Sequence, residues 1–277
     1  MPGGDSRTDD AGIGIAGCGR MGAPMLAALR TAGIAARGFD IRPPSEFGPL
    51  APAMTDDPAE FARELHTLIT VVRDIGQTED VLFGAQNFLS APRLARVILC
   101  STLSPRYVRD LRARVPGHIV LIDAPMSGAQ VAAQEARLSF MLGGEAADLD
   151  AAQPLFDAMG AHFHRMGGYG AGMQAKVLNN LLAAANTAMT RLVLDWADAT
   201  GVDEDRLLAL IDTSSGQNWF ASGFDRIEFA RDGWAPDNTI GILTKDVDSA
   251  LDAAPEGADT TLPDTVKAAI RALTPRR

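Results

Sequence analysis

Short apolar runs alternate with helix-spaced apolar positions through the first half of the chain. Ile13-Gly14-Ile15-Ala16-Gly17, residues 34–40, Leu68-Ile69-Thr70-Val71-Val72, Arg96-Val97-Ile98-Leu99-Cys100, His118-Ile119-Val120-Leu121-Ile122 and Arg137-Leu138-Ser139-Phe140-Met141-Leu142 read as strands. The first intervening helix extends to about Thr31 and tolerates Pro24 in its opening turns. Such alternation predicts a parallel sheet with crossover helices. It stops at Gly167-Gly168-Tyr169-Gly170. Residues 171–200 then read as one helix, about 45 Å long at 1.5 Å per residue, which Gly201 is placed to end. Shorter helices follow. The pattern predicts an α/β chain: a mobile tail over 1–10, a domain with a mostly parallel sheet over 11–168, and an all-α domain over 169–277 entered through a long interdomain helix.

Composition narrows the setting. A chain of 277 residues suffices for two domains. The net charge of −10 argues against nucleic acid or an anionic membrane surface as partner. The N-terminus is polar and acidic, unlike a signal peptide, and no apolar run approaches the ~20 residues of a membrane span. Two cysteines, Cys18 and Cys100, make no disulfide framework and fit a reducing cytoplasm. His162 and His164 have strand spacing, but no acid or cysteine cluster accompanies them, so they read as structural and no metal site is expected.

Gly17-Cys18-Gly19-Arg20-Met21-Gly22 is a GxGxxG placed directly after a strand and at a helix start. Its glycines permit a tight turn, close approach of a pyrophosphate to backbone N–H groups, and tight helix–strand packing. The N-terminal domain is therefore expected to be a Rossmann domain binding a dinucleotide through Gly17, Gly19, Arg20, Met21 and Gly22. Asp40, at the end of the second strand, is spaced to accept hydrogen bonds from the ribose hydroxyls and to repel a 2′-phosphate, which favours NAD over NADP. Arg42, two positions on, softens that exclusion.

Only three of the 25 Lys+Arg are lysines: Lys176, Lys245 and Lys267. Arginine stays protonated in proteins, whereas a desolvated lysine can release its proton. Lys176 lies near the start of the long helix, with Asn179 and Asn180 three and four residues on and on the same face. One ammonium and two carboxamides aimed together suit a small oxygen-rich substrate.

With these motifs assembled, the chain resembles the β-hydroxyacid dehydrogenase family, the 3-hydroxyisobutyrate dehydrogenase-like group, from about Ile13 to about residue 250. The glycine motif with its following Ala23-Pro24-Met25 looks like the family's GLGxMGxxM. Ser101-Thr102-Leu103-Ser104-Pro105 looks like its ST-x-SP segment, which puts Thr102 near the nicotinamide. Asp123-Ala124-Pro125-Met126-Ser127-Gly128-Ala129 looks like its DAPVSGG substrate loop, and the resemblance implies that Ser127 and the backbone around Gly128 hold a substrate carboxylate. Gly170-x-Gly172-xxx-Lys176-xxx-Asn180 matches its catalytic helix start, and Lys245-Asp246-Val247 its KDL, whose lysine reaches the cofactor.

Departures concern the substrate. Val71-Val72-Arg73-Asp74 stands where the family has an apolar pair and then a proline or similar residue. Val72 is expected on the cofactor side, and Arg73 on cofactor phosphate or a second anionic group of the substrate. Ala129, Ala136 and Arg137 replace residues usually Gly, Gly and Thr, and Ile240 lies near a position often Phe. The family's glycine-rich C-terminal stretch is not visible, so one wall of the site is either missing or supplied by another subunit.

The resemblance implies a homodimer or homotetramer with cofactor and substrate in the cleft between the domains, and the cysteine usage a cytoplasmic setting. It implies hydride transfer between a nicotinamide cofactor and a short 3-hydroxy acid, or its semialdehyde, with Lys176 as general acid/base and Asn180 and Asn179 as substrate contacts. Two alternatives stand beside it: an NADPH-dependent semialdehyde- or glyoxylate-type reductase, and a non-catalytic dinucleotide-binding sensor.

Overall fold

The computed structural model describes residues 12–276, so the tail expected at residues 1–10 lies outside the described residues. The chain divides between Lys176 and Val177 into two compact units. The first contains β1 (Gly12–Ala16), α1 (Gly22–Thr31), β2 (Ala36–Phe39), β3 (Met54–Thr55), α2 (Pro58–Ala62), β4 (Leu65–Thr70), α3 (Ile75–Leu82), β5 (Arg96–Leu99), α4 (Pro105–Arg114), β6 (Val120–Asp123), β7 (Met126–Ser127), α5 (Ala129–Gln134), β8 (Leu138–Gly143), α6 (Ala146–Met159), β9 (Gly160–Gly167) and the opening turns of α7 (Ala171–Thr200). The second contains the rest of α7, then α8 (Glu204–Asp212), α9 (Trp219–Ser222), α10 (Thr239–Asp252) and α11 (Thr261–Arg271).

The sheet runs β3-β2-β1-β4-β5-β6-β8-β7, with β9 also paired to β8. All pairings are parallel except those of β8 with β6 and β7. Register puts Ile15 beside Ile69, Ile69 beside Ile98, and Ile98 beside Ile122, a row of four fully buried isoleucines across the central strands. They join one apolar cluster, while Leu68, Val97, Leu99 and Leu121 on the opposite face join another. A sheet covered on both faces needs apolar residues at odd and even positions alike, which is why these strands are continuous apolar runs. Truncating any of the four isoleucines to alanine removes about 2–5 kcal/mol.

The chain order reverses between β1 and β4. Helices leave the sheet in opposite directions there, opening a crevice at the carboxyl ends of the strands.

Helix endings trim two of the expected strands and a turn trims a third. Gly33 has φ +82°, and the N–H of Ile34 donates to Leu29 O to close α1, so β2 begins at Ala36 and not at Ile34. The N–H of Arg137 donates to Ala132 O in the same way, so β8 begins at Leu138. The N–H of Ile119 donates to Pro116 O, and β6 begins at Val120. β9 is an exposed edge strand, and both His162 and His164 are exposed on it. α7 spans the expected 171–200, and Gly201 with φ +76° ends it.

In the second unit the buried core gathers Ala184, Ala188, Leu194, Phe220, Phe224, Ile240 and Val247 among others. Leu178, Leu182, Met189, Leu192 and Trp196 face outward along α7 and are exposed. With half-buried Ala185 their spacing alternates four and three residues, a straight apolar seam along one helix face.

Ala136 occupies the left-handed position that closes α5, with φ +50°. A β-carbon there costs about 1–2 kcal/mol, and glycine is the usual solution. Ala136→Gly is expected to raise Tm by about 2–4 °C, measured by calorimetry, in contrast to the usual loss on replacing alanine by glycine. An unchanged or lowered Tm counts against strain at this position.

Candidate cofactor site and active site

The three motif glycines do three different things. Gly17 has φ +92°, and a β-carbon on it would meet Val71 O at 2.8 Å and Val72 Cγ1 at 2.9 Å. A β-carbon on Gly22 would lie 2.0 Å from Gly17 O. Both are demanded by packing of the loop against β4 and against itself. Gly19 instead faces open space, with nothing within 4 Å of a built β-carbon. Bare backbone at that point, just before α1, is the cradle a pyrophosphate requires. The residues present therefore fit a dinucleotide. Met21 is the N-cap residue of α1 and is half-buried against the core. Arg20 is exposed, and its Nε donates to Gln130 Oε1 at 3.3 Å, which ties the glycine loop to α5.

Asp40 follows β2 and is buried. Its Oδ2 accepts the Cys18 N–H at 2.9 Å, which pulls the glycine loop onto the end of β2. Arg42 donates to the same carboxylate from its backbone N–H, Nε and Nη2, and donates from Nη2 to Cys18 O as well. The hydrogen bond to Asp40 raises the Arg42 pKa further, and its guanidinium stacks 4.7 Å from the centre of the Phe47 ring. Burial, and then the neighbouring Asp40 charge, push the Cys18 thiol up to about 12, which keeps it protonated and inert.

The remaining expected cofactor residues of the first unit also follow carboxyl ends of parallel strands. Val72 and Arg73 lie in the loop after β4. Arg73 is exposed, its backbone N–H donates to Gln77 Oε1, and Asp74 caps α3. Thr102 is half-buried between β5 and α4. Ser104 and Pro105 of the same segment have a local structural role as N-cap and first residue of α4. Ser127 ends β7, and Gly128, with φ +134°, opens α5.

The substrate-loop motif holds a residue that sequence reasoning left without a role. Asp123 ends β6 and is 0 % exposed. Its Oδ1 accepts the Gly170 N–H at 2.7 Å and its Oδ2 the Met173 N–H at 2.6 Å, so it caps the start of α7. Burial pushes its pKa up, while the N–H donors of Gly170, Met173 and Gly172 pull it back. Leu103 N–H reaches Met173 Sδ at 3.3 Å, which fastens the Thr102 loop to the same turn. Lys176 follows in the next turn and is 6 % exposed.

In the second unit, Asn180 is buried, Asn179 exposed and Lys245 half-buried. Asn180 Nδ2 donates to Asp246 Oδ2 at 2.6 Å, and Asn179 Nδ2 to Asn180 Oδ1 at 3.4 Å. Asp246 thus fixes which way the Asn180 amide points. In sequence its only signal was its place beside Lys245, where an acid reads equally well as a surface ion-pair partner.

The glycine loop yields a sharp contrast. Gly19→Ala is expected to leave Tm unchanged while weakening dinucleotide affinity about 10-fold or more, since its β-carbon would occupy the pyrophosphate's space. Gly22→Ala is expected to cost about 1–3 kcal/mol of stability through its clash with Gly17 O. Calorimetry and titration of cofactor fluorescence read the two effects separately, and equal losses of Tm would contradict them.

Comparisons with known proteins agree with this architecture. Residues 12–168 match the family described as the NAD binding domain of 6-phosphogluconate dehydrogenase, and residues 170–274 that described as NAD-binding of NADP-dependent 3-hydroxyisobutyrate dehydrogenase. The chain is 29% identical over 248 residues to an L-threonate dehydrogenase of Cupriavidus necator, covering 87% of this chain and 83% of that one. It is 30% identical over 249 residues to a 3-hydroxyisobutyrate dehydrogenase of Pseudomonas aeruginosa, covering 86% and 84%. A solved structure of Mycobacterium tuberculosis 3-hydroxyisobutyrate dehydrogenase with L-serine superposes with a TM-score of 0.77 at 29% identity, over 93% of this chain and 91% of that one. With both parts of the chain matched and the strand-end loops in place, the chain belongs to the β-hydroxyacid dehydrogenase family of NAD(P)-dependent enzymes.

Proposed function

We propose that this protein oxidises a short 3-hydroxy acid, 3-hydroxyisobutyrate-like, to its semialdehyde, and runs the reverse reduction. The observation that carries the reading is Lys176: a buried lysine one turn into α7, at the motif position of the family's catalytic helix, in a chain that otherwise uses arginine. Relatives named for 3-hydroxyisobutyrate, L-threonate and L-serine share a carboxylate and a hydroxyl on a short carbon chain, which is the substrate class proposed.

Ser127 and the backbone around Gly128 hold the carboxylate. Asn180, with its amide set by Asp246, and Asn179 receive the hydroxylated end from the same helix as Lys176. Arg73 meets cofactor phosphate or a second anionic group. The glycine loop would hold the pyrophosphate of the dinucleotide, which would supply the hydride acceptor, and Thr102 and Lys245 are the residues proposed for its nicotinamide side. During oxidation Lys176 accepts the proton of the substrate hydroxyl, and in reduction it returns it. Lysine in water, with a pKa near ~10.4, is a poor base at neutral pH, so the role demands a desolvated setting. NAD is the proposed cofactor, on the strength of Asp40.

Initial rates at 340 nm with NAD and NADP against C3–C5 hydroxy acids test the substrate and cofactor assignments. Lys176→Ala is expected to lower kcat about 10²–10⁴-fold with cofactor affinity kept, and Lys176→Arg to fail as well, since it carries charge without a removable proton. Near-normal turnover in either variant would refute the role. Cofactor binding with no turnover on any hydroxy acid would instead favour a sensor.

The apolar seam on α7 supports a homo-oligomer, dimer or tetramer, joined along that helix. Trp196, the bulkiest side chain of the seam and its last member, is 66% exposed, and large exposed apolar patches mark interfaces. Trp196→Glu is expected to shift the sedimentation coefficient toward the monomer. An unchanged assembly would place the interface elsewhere.

A further inference from the structure

Asp123 is the first residue of the substrate-loop motif, yet its side chain is spent on the helix that carries Lys176. The carboxylate has no solvent exposure and binds two N–H groups of the first turn of α7, at 2.7 and 2.6 Å. The surrounding backbone is shaped for it. A β-carbon on Gly143 would lie 2.1 Å from Asp123 Oδ1, and one on Gly172 would lie 2.3 Å from Met141 O and 3.0 Å from Asp123 Oδ2. Lys176 is three residues beyond Met173, on the same helix face, and helical side chains lean back over the preceding turn. The lysine therefore leans toward the end of α7 that Asp123 holds.

Two physical effects follow. The cap fixes the position of the first turn, and with it the point from which the lysine side chain leaves the helix. The carboxylate also offsets the positive end of the helix dipole, which would otherwise repel an ammonium. Other ionisable groups around this end of α7 are Tyr169 and Tyr107, both raised by burial, and the guanidiniums of Arg109 and Arg112. Two further carboxylates lie beyond them: Glu79, which accepts the Tyr107 hydroxyl and is paired with Arg114, and Asp246, which accepts from Asn180, four residues after Lys176 on α7. Asp123 is the carboxylate bonded to the first turn itself.

We propose that Asp123 is a positioning residue for Lys176: its carboxylate seats the first turn of α7 in the place that aims the lysine, and its charge sets how firmly the lysine holds its proton. This rests on the reading of Lys176 as the acid/base group.

Two variants separate the effects. Asp123→Asn keeps the shape and one of the two acceptors, removes the charge, and sets its NH2 against the other backbone N–H. Less negative charge near an ammonium lowers its proton affinity, and oxidation needs the neutral amine. The rising limb of kcat against pH is therefore expected to move to lower pH by about 0.5–1 unit. The plateau is expected to fall about 10- to 100-fold, with cofactor affinity retained. Gly143→Ala keeps the charge but displaces the carboxylate; it is expected to lower kcat without moving the limb. Asp203, whose Oδ1 caps α8 by accepting the Arg206 N–H at 2.9 Å, serves as a control: Asp203→Ala is expected to lower Tm and leave kcat alone.

A folded Asp123→Asn enzyme with wild-type kcat and an unmoved limb overturns the proposal, as does a loss of Tm without loss of kcat. Lys176→Ala, assayed alongside, distinguishes the two failures. If it retains turnover, the reading of Lys176 falls and this proposal falls with it; if it is inactive while Asp123→Asn behaves as wild type, only the role of Asp123 falls.

Discussion

A single buried carboxylate joins the sheet to the long helix. α7 begins with N–H groups that no helical carbonyl can satisfy, and its first turn packs inside the first unit, where water cannot serve them. Asp123, at the carboxyl end of β6, supplies the acceptors. Burying an ion is costly. Here backbone donors on both oxygens and the positive end of the helix offset that cost. The arrangement then constrains its neighbours: Gly143 and Gly172 admit no side chain, and Met173 must present its sulfur to the Thr102 loop. The end of β6, the loop that follows it, the Thr102 loop and the start of α7 thus share one anchor. Its loss would loosen all of them together.

Much of this was legible in the sequence, for a reason visible in the sheet. β1, β4, β5 and β6 are covered on both faces, so their apolar runs are unbroken, and the row Ile15, Ile69, Ile98, Ile122 lies in the middle of each run. α7 was legible from its glycine boundaries. The two-residue strands β3 and β7 are too short for any period, and β9 is a polar edge with almost nothing buried. Strand starts were misplaced by one or two residues where a local hydrogen bond claimed the N–H first: a helix-closing one at Ile34 and Arg137, a turn at Ile119.

The site divides in the same way. Glycine spacing and the lysine's rarity singled out positions that stand out in the structure too: Gly19 faces open space and Lys176 is buried. Asp123 and Asp246 act through partners that only folding supplies: Asp123 meets Gly170 across 47 residues, and Asp246 meets Asn180 across 66. In sequence an acid at a strand end or beside a lysine has no signature separating it from a solvated one. Ala129 and Ala136 show the converse. Their identity was readable as a departure from the family's glycines, but the left-handed backbone they adopt, at φ +54° and +50°, was not. Each places a β-carbon where glycine would carry no penalty.

Asp40 is one half of a pair with Arg42. Asp40 offers about four acceptor directions, and four donors take them: the N–H groups of Cys18 and Arg42 and two guanidinium nitrogens. With Arg42 stacked on Phe47 in this way, the ribose hydroxyls meet no vacant acceptor, and the local charge is near zero. A bare Asp40 carboxylate would bind a ribose diol and repel a 2′-phosphate. The same guanidinium turned outward would attract that phosphate. The Cys18 bond is backbone and fixed, whereas the Arg42 side chain is nearly half exposed and able to turn. A ribose diol therefore reaches the Asp40 carboxylate only by displacing Arg42 from it, whereas the Cys18 N–H stays in place.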